Sequence, residues 1–493
     1  MEKRNVLAFD LGASSGRAVL GVYENKSIKL KEVYRFLNNP VNMRGVLYWD
    51  ILRLFHEIKR GILAAKSEGV ITSLGVDTWG LDFGLLDSEG RLLENPVHYR
   101  DSRTKGMKKV CDEVLGSSIS LFETTGIQFL ESNTIYQLLS IARDRPALLE
   151  NSETLLLMPN LINYMLTDQI YAEYSIAMTT QLVDTHTGTW SKAILDKLGI
   201  PEKLFPQIIS SGSMAGKLRP DIQKELEISD MDVIAVDSHD SQSAVLAIPA
   251  REKDFIFISC GTWSFLGTEL DSPVVSHKAE EFNMTNERGY QKKVSFATNI
   301  TGTWVLQECR RQWKQEGKTC EYAQLEESAM NSITCGCYID TDDESFQKAG
   351  NMPEQISQYC LRTSQPIPKT EGEFVRCIYE SLAMKYRVAI EHIMECTGIH
   401  YPCIYMVGGG SKSSLLCQLT ADICKTKVVA GPSEATAIGN IMVQLIASGD
   451  VKDVQEGRTI IRNTQDIKEF QPCNSKDWDA EYKIFITMIN RDH

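Results

Sequence analysis

The stretch from Val6 to Val22 constrains this chain more than any other. An apolar run ends in the lone carboxylate Asp10, a turn of small residues passes through Gly12, Ala13, Ser14, Ser15 and Gly16, and a second run starts at Arg17. The pattern predicts a strand, a tight turn and a returning strand. Such a turn aims several backbone N–H groups and hydroxyls at one point, the concavity that binds phosphate oxygens. Asp10, at the strand end, is placed to hold an accompanying Mg2+ through water. Gly16 is expected where φ is positive or where the backbone meets a phosphate. No Gly-Lys-Ser/Thr follows and a strand leaves the turn, so this is not a Walker A loop. For this segment alone, an ordinary hairpin with a buried Asp is the alternative.

A second segment, Asp254 to Thr268, repeats the order: an apolar strand, a turn containing Gly261, Thr262 and Ser264, and another strand. It begins about half a chain after the first, which predicts a duplicated domain closing over one nucleotide. Farther on, Gly408, Gly409 and Gly410 follow an apolar strand and lead into a helix with Ser413 as its N-cap, a backbone open to a flat ligand such as adenine. In the segment Gly431 to Asn440, Ala435 and Gly439 share one helix face and let that helix lie close to a neighbour.

With 493 residues the chain exceeds one core, so at least two domains are expected. The net charge of −13 argues against a nucleic-acid or anionic-membrane partner. The segment from Met1 to Asn5 has no apolar signal core and no run reaches membrane-span length, so a cytoplasmic location is expected. The 13 cysteines are odd in number and lack a Cys-x-x-Cys pair; Cys335 and Cys337 have no nearby partners to complete a zinc site. All but Cys111 lie at or after Cys260, and they read as reduced, mostly buried residues, with a Cys360 to Cys377 pairing left open.

No low-complexity linker separates the halves, and the boundary falls best between Ile248 and Lys253, dividing the chain into 1–248 and 249–493. Strands are expected at Val6 to Asp10, Arg17 to Val22, Ile28 to Phe36 and Ser73 to Asp77. Helices are expected at Ile51 to Ser67, Asn133 to Asp144, Leu155 to Leu166 and, long and amphipathic, Glu373 to Cys396. The mixture indicates an α/β fold.

The run Met231 to Ile248 reads as a strand, a polar turn and a helix start, at the strand end where ligands collect in such sheets. Asp240 falls in the first helical turn, where the dipole favours its ionised form and where it can accept a proton from an attacking hydroxyl. Asp237 is the competing carboxylate, although its position suits an N-cap. The stretches Asp77 to Asp82 and Tyr99 to Arg103 supply polar groups, with Trp79 as an aromatic wall and Gly80 as room for a hydroxyl; a buried Trp79 and an Arg to Asp101 network is the alternative.

Taken together, Asp10 to Arg17, Gly75 to Phe83, Tyr99 to Arg103, Ser259 to Ser264, Val407 to Gly410 and Gly431 to Asn440 resemble the FGGY family of carbohydrate kinases over essentially the whole chain. The resemblance implies two actin-like, ribonuclease H-like domains with a nucleotide cleft between them, the first holding the sugar and the second the adenosine. It implies Asp240 as general base, Gly80, His239, Asp240, Ser241 and Asn299 as sugar contacts, and Ala13, Ser14, Ser15, Gly16, Arg17, Thr262, Gln307 and Gly409 as nucleotide contacts. Asn299 and Gln307 are expected in a loop entering a helix. Where relatives typically read Gly-His-Asp-Thr, this chain has Ser238, His239, Asp240 and Ser241. The implied reaction is phosphorylation of L-rhamnulose at O1 by ATP with Mg2+; another ketose such as L-fuculose, or an ATPase switch without a sugar, are the alternatives.

Overall fold

The computed structural model describes residues 3–318, 320–332, 336–473 and 476–490; Met1 and Cys335, which entered the reading above, lie outside them. Two compact units interleave along the chain. The first comprises Met1–Pro249, Glu269–Phe296 and Ala435–Thr464; the second comprises Ala250–Thr268, Ala297–Glu434 and Gln465–His493. Two segments beyond residue 248 thus pack with the amino-terminal part.

The first unit is built on a six-stranded sheet in the order Met214–Lys217, Asp232–Ile234, Ser73–Thr78, Arg4–Leu11, Ser15–Glu24, Ser27–Leu37. Arg4–Leu11 lies at its middle, antiparallel to Ser15–Glu24 and parallel to Ser73–Thr78. Both of its faces are covered, which is why it reads as a continuous apolar run. Leu7, Phe9 and Leu11 join a core with Ile51, Leu54, Ile58 and Ile62, the inner face of helix Ile51–Lys66. Val6 and Ala8, on the opposite face, pack with Ala437, Ile441 and Leu445 of helix Ala435–Ala447. The helix Ile51–Lys66 starts where the Asp50 side chain accepts the Arg53 N–H.

In the second unit, Trp263–Leu270, Ile256–Cys260, Cys403–Val407, Lys427–Ala430 and Lys468–Phe470 are successive neighbours in one sheet. Ile256–Cys260 pairs antiparallel with the next strand in sequence and parallel with Cys403–Val407. That is the same local plan as the amino-terminal hairpin and its parallel third strand, so the duplication read from the sequence is present in the fold. The helix Glu371–Thr397 supplies much of this unit's core. Cys360 and Cys377 are buried thiols. Among the described residues no helix is long and apolar enough to cross a membrane.

Two local expectations are corrected. Leu155 to Leu166 is not one helix: Thr154–Leu157 is a strand and the helix is Met158–Thr167. Pro159 sits in its first turn, the one place a helix tolerates a residue without an N–H, so the helix cannot extend back to Leu155. Asn299 is in the strand Val294–Thr301, and only Gln307 belongs to the following helix, Trp304–Gln315.

Gly439 lets the helix Ala435–Ala447 lie close against the helix Asp240–Leu246. A Cβ there would lie 1.8 Å from the Ser243 carbonyl oxygen, a backbone atom that cannot turn aside. Gly439→Ala is expected to destabilise the protein by roughly 1–3 kcal/mol. Thermal unfolding of the purified variant checks this, and an unchanged Tm would refute the packing role.

Candidate active site

Strand register brings the first acidic residues together. Asp10 stands opposite Arg17 on one side and Asp77 on the other. The Arg17 guanidinium donates to Asp10 Oδ2, so the base of the first turn is a carboxylate already matched by a cation. Asp77 is fully buried; its Oδ2 accepts from Asn440 Nδ2 at 2.6 Å, while Oδ1 has no hydrogen-bond partner. Burial, then the charge of Asp10, push the Asp77 carboxyl well above the usual range.

Above this turn, Gly12 N–H donates to Ser15 O at 3.0 Å, which tightens the loop, and Ala13 and Ser14 form its tip. Of the two reasons expected for Gly16, positive φ does not hold: the residue lies within the strand Ser15–Glu24 and has no positive φ. A Cβ there would lie 2.2 Å from Phe36 Cζ and 2.8 Å from Leu11 Cδ2, so its need for glycine is side-chain packing between neighbouring strands.

The second acidic element starts at the helix Asp240–Leu246. Asp240 is in its first turn as expected, but the N-cap is His239 and not Asp237. Asp237 is sealed, with 1% of its surface exposed, and its Oδ2 accepts from the Tyr290 N–H at 3.1 Å. Burial and Glu173 push it up to about 8. Asp240 is different, because 29% of its side chain is exposed. Burial raises it to about 6, with Asp10 also raising it and His239 holding it down. Of the two carboxylates, Asp240 is the one with exposed surface, and its carboxyl is raised less than that of Asp237. Ser241 Oγ donates to Asp240 Oδ1 at 3.1 Å.

Two buried glutamates that the sequence reading missed surround this turn. Glu173 accepts from the N–H of Ser238 at 3.1 Å and from Ser175 Oγ at 2.6 Å, and Ser175 Oγ in turn accepts the His239 N–H at 3.1 Å. Glu287 Oε2 lies 2.9 Å from His239 Nδ1, and His239 Nε2 lies 3.6 Å from Asp240 Oδ1. Neither glutamate had a local signal: each lies in a short strand far from residue 239 in sequence.

Of the two readings left open for Trp79, the structure gives the buried one. Trp79 is buried, its ring 4.0 Å from that of Trp49 and tilted by 34° to it, and donates from Nε1 to Asp82 Oδ2 at 2.9 Å. It is part of the interior and not an open aromatic wall. Asp82 gathers three further donors, Trp49 Nε1, the Tyr99 N–H and Gln137 Nε2, which fix the strand end beside Gly80. Gly80 is half-buried, and a Cβ there would touch Thr179 at 3.2 Å. Asp101 caps the short turn Ser102–Thr104 and accepts the Leu47 N–H, while Arg103 reaches Gln137 Oε1 at 2.6 Å.

In the second unit, Thr262 Oγ1 and Gln307 Oε1 lie 3.3 Å apart. The three glycines divide their roles. Gly408 has φ +80 and Gly410 abuts Cys260, whereas a Cβ on Gly409 would meet nothing within 4 Å. Gly409 alone therefore offers an open backbone face. Ser413 caps the following helix, accepting the Leu416 N–H as expected.

The family model for the N-terminal domain of the FGGY family of carbohydrate kinases matches residues 5–247, and that for its C-terminal domain matches residues 256–448. The chain is similar to a rhamnulokinase of Bacteroides thetaiotaomicron, at 38% identity over 99% of this chain and 100% of that one. A rhamnulokinase of Oceanobacillus iheyensis is 41% identical over 94% of this chain and 97% of its own length. Among solved structures, a gluconate kinase of Lactobacillus acidophilus aligns with a TM-score of 0.81 at 17% identity, over 99% of this chain and 98% of that chain. Plasmodium falciparum glycerol kinase with ADP aligns with a TM-score of 0.77 at 16% identity, over 99% and 97%. At that identity these structures speak for the fold alone.

The unpartnered oxygen of Asp77 generates a stability prediction. Asp77→Asn keeps an oxygen for Asn440 and removes an acid beside Asp10, so the variant is expected to be more stable than the parent at pH 7. The sign depends on pH. The unfolded Asp ionises above its ordinary value near 3.8 while the folded one resists, so the native penalty grows from there upward and vanishes in acid. Urea unfolding of both proteins at neutral pH and near pH 4 measures the difference, and an equal gain at both would contradict this origin.

Proposed function

Because the chain belongs to the FGGY family of carbohydrate kinases, we propose that it transfers the γ-phosphoryl group of ATP to the O1 hydroxyl of L-rhamnulose, giving L-rhamnulose 1-phosphate and ADP. The observation that carries the choice of sugar is the 38–41% identity to rhamnulokinases over nearly the full length of both chains. The reading places the reaction in the cytoplasm, where ATP is held.

Asp240 is the general base of this proposal. Its partly exposed carboxylate is raised to about 6, which leaves it ionised at neutral pH and still basic enough to take the O1 proton as the oxygen meets phosphorus. The transition state of phosphoryl transfer is loose, so holding the hydroxyl in line contributes more than basicity does. Gly80, His239, Ser241 and Asn299 are the proposed sugar contacts. Ala13, Ser14, Ser15, Gly16 and Arg17 are proposed for the phosphates, and Thr262, Gln307 and Gly409 for the rest of the nucleotide.

A magnesium ion suits the donors present. Asp10 and the unpartnered Asp77 Oδ1 are hard oxygen groups at one strand end, and among the described residues no set of three or more His, Cys, Asp or Glu could hold an ion alone. Asp10 would hold the ion together with phosphate oxygens and water. When bound, the ion would neutralise phosphate charge. Arg17, paired to Asp10, supplies cationic charge of the chain's own at the same place.

Two measurements test the proposal. With saturating ATP and Mg2+, kcat/KM for L-rhamnulose is expected to exceed that for L-fuculose, L-ribulose, D-xylulose and glycerol. A higher value for any of these overturns the sugar assignment, and ATP hydrolysis indifferent to all of them favours a switch. Asp240→Asn is expected to lower kcat by about 10²-fold or more while ATP affinity holds, and wild-type kcat/KM should decline below about pH 6 as Asp240 takes a proton. Normal turnover by Asp240→Asn, with Asp237→Asn inactive, would transfer the role to Asp237.

A further inference from the structure

Resting on the assignment of Asp240 as base, we propose that Glu287 is a positioning residue for phosphoryl transfer: it fixes the His239 ring so that Nε2 faces the Asp240 carboxylate. Glu287 projects from the strand Thr285–Arg288 and is 5% exposed. Its Oε2 lies 2.9 Å from His239 Nδ1, and the opposite ring nitrogen lies 3.6 Å from Asp240 Oδ1. Glu287 is itself held, since Gln242 Nε2 donates to Oε2 at 3.2 Å and Gln242 Oε1 accepts from Ser295 Oγ at 2.8 Å. The His239 backbone is fixed separately, its N–H donating to Ser175 Oγ and the preceding Ser238 O accepting the Thr78 N–H. With the backbone fixed, ring rotation is the remaining freedom, and the close ion pair at Nδ1, which lies outside hydrogen-bond geometry, lets Glu287 restrain it through charge.

The charges around the ring work in the same direction. Glu287, Asp240 and Glu173 all act on His239, and Asp10, paired with Arg17, acts on Asp240. Burial disfavours the imidazolium, but Glu287 and then Asp240 outweigh it and bring His239 to about 8. A protonated Nε2 facing Asp240 Oδ1 favours the ionised carboxylate. Because Ser241 also donates to Oδ1, Oδ2 is left to meet the sugar hydroxyl. Glu287 acts through His239, so its loss alters the base without removing it.

The test uses the full chain with Glu287→Gln and Glu287→Asp. With 15N-labelled histidine, His239 is expected to titrate near pH 8 in the wild type and below neutrality in Glu287→Gln. With L-rhamnulose and MgATP, Glu287→Gln should lose about 10-fold in kcat, less than loss of the base itself, with KM for ATP unchanged and partial recovery in Glu287→Asp. An unshifted His239 titration in a folded Glu287→Gln protein overturns the inference, whether kcat is retained or falls in parallel with Tm. If Glu287→Gln does not fold, the same readouts on Glu287→Asp decide. The two readings separate cleanly: an active Asp240→Asn enzyme removes the base assignment, whereas an inactive one beside an unshifted His239 removes only the role of Glu287.

Discussion

The first unit depends on one strand, Arg4–Leu11, being buried on both faces. Leu7, Phe9 and Leu11 meet the helix Ile51–Lys66 while Val6 and Ala8 meet Ala435–Ala447, so the run from Val6 to Phe9 is wholly apolar and Asp10 is the first polar residue after it. Hydrophobic burial on both sides fixes the register, because a slip of one residue would exchange the two faces. That register sets Asp10 beside Arg17 and Asp77. The acidic end of the sheet is thus a consequence of apolar packing farther down the same strand.

Three carboxylates that influence one another are costly in an interior, and each is managed differently. Asp10 is matched by Arg17. Asp77 leans on Asn440, whose Oδ1 is met by Gln444 Nε2, which also reaches Leu7 O. Asp240 faces His239, and His239 faces Glu287. The three arrangements differ in their partner: a cation for Asp10, an amide for Asp77 and an imidazole for Asp240.

Much of the framework was legible along the chain. The hairpin strands, the helix capped by Asp50, the long helix Glu371–Thr397 and the Ser413 cap rest on periodicity and local capping, which act over a few residues. The parts that were not legible share a cause. Trp79 could be read as a sugar wall or as a buried residue because an aromatic beside polar residues is ambiguous until its neighbours are known, and here Trp49 and Asp82 enclose it. A positive φ is one reason expected for Gly16, but it is Phe36 and Leu11, brought beside it by the neighbouring strands, that crowd out a side chain. Asp237 read as a cap, and the cap is His239.

The sequence by itself determined the α/β class, the duplicated hairpins, the carboxylate at the first strand end and the His239 to Asp240 pair, because each is written in residues close together. Only the tertiary structure decided that 269–296 and 435–464 belong with the first unit, that Asp240 is open while Asp237 is sealed, and that Glu173 and Glu287 flank His239. Those outcomes depend on which distant segments meet. Burial and the electrostatics of buried groups are set by such neighbours, and no local pattern encodes them.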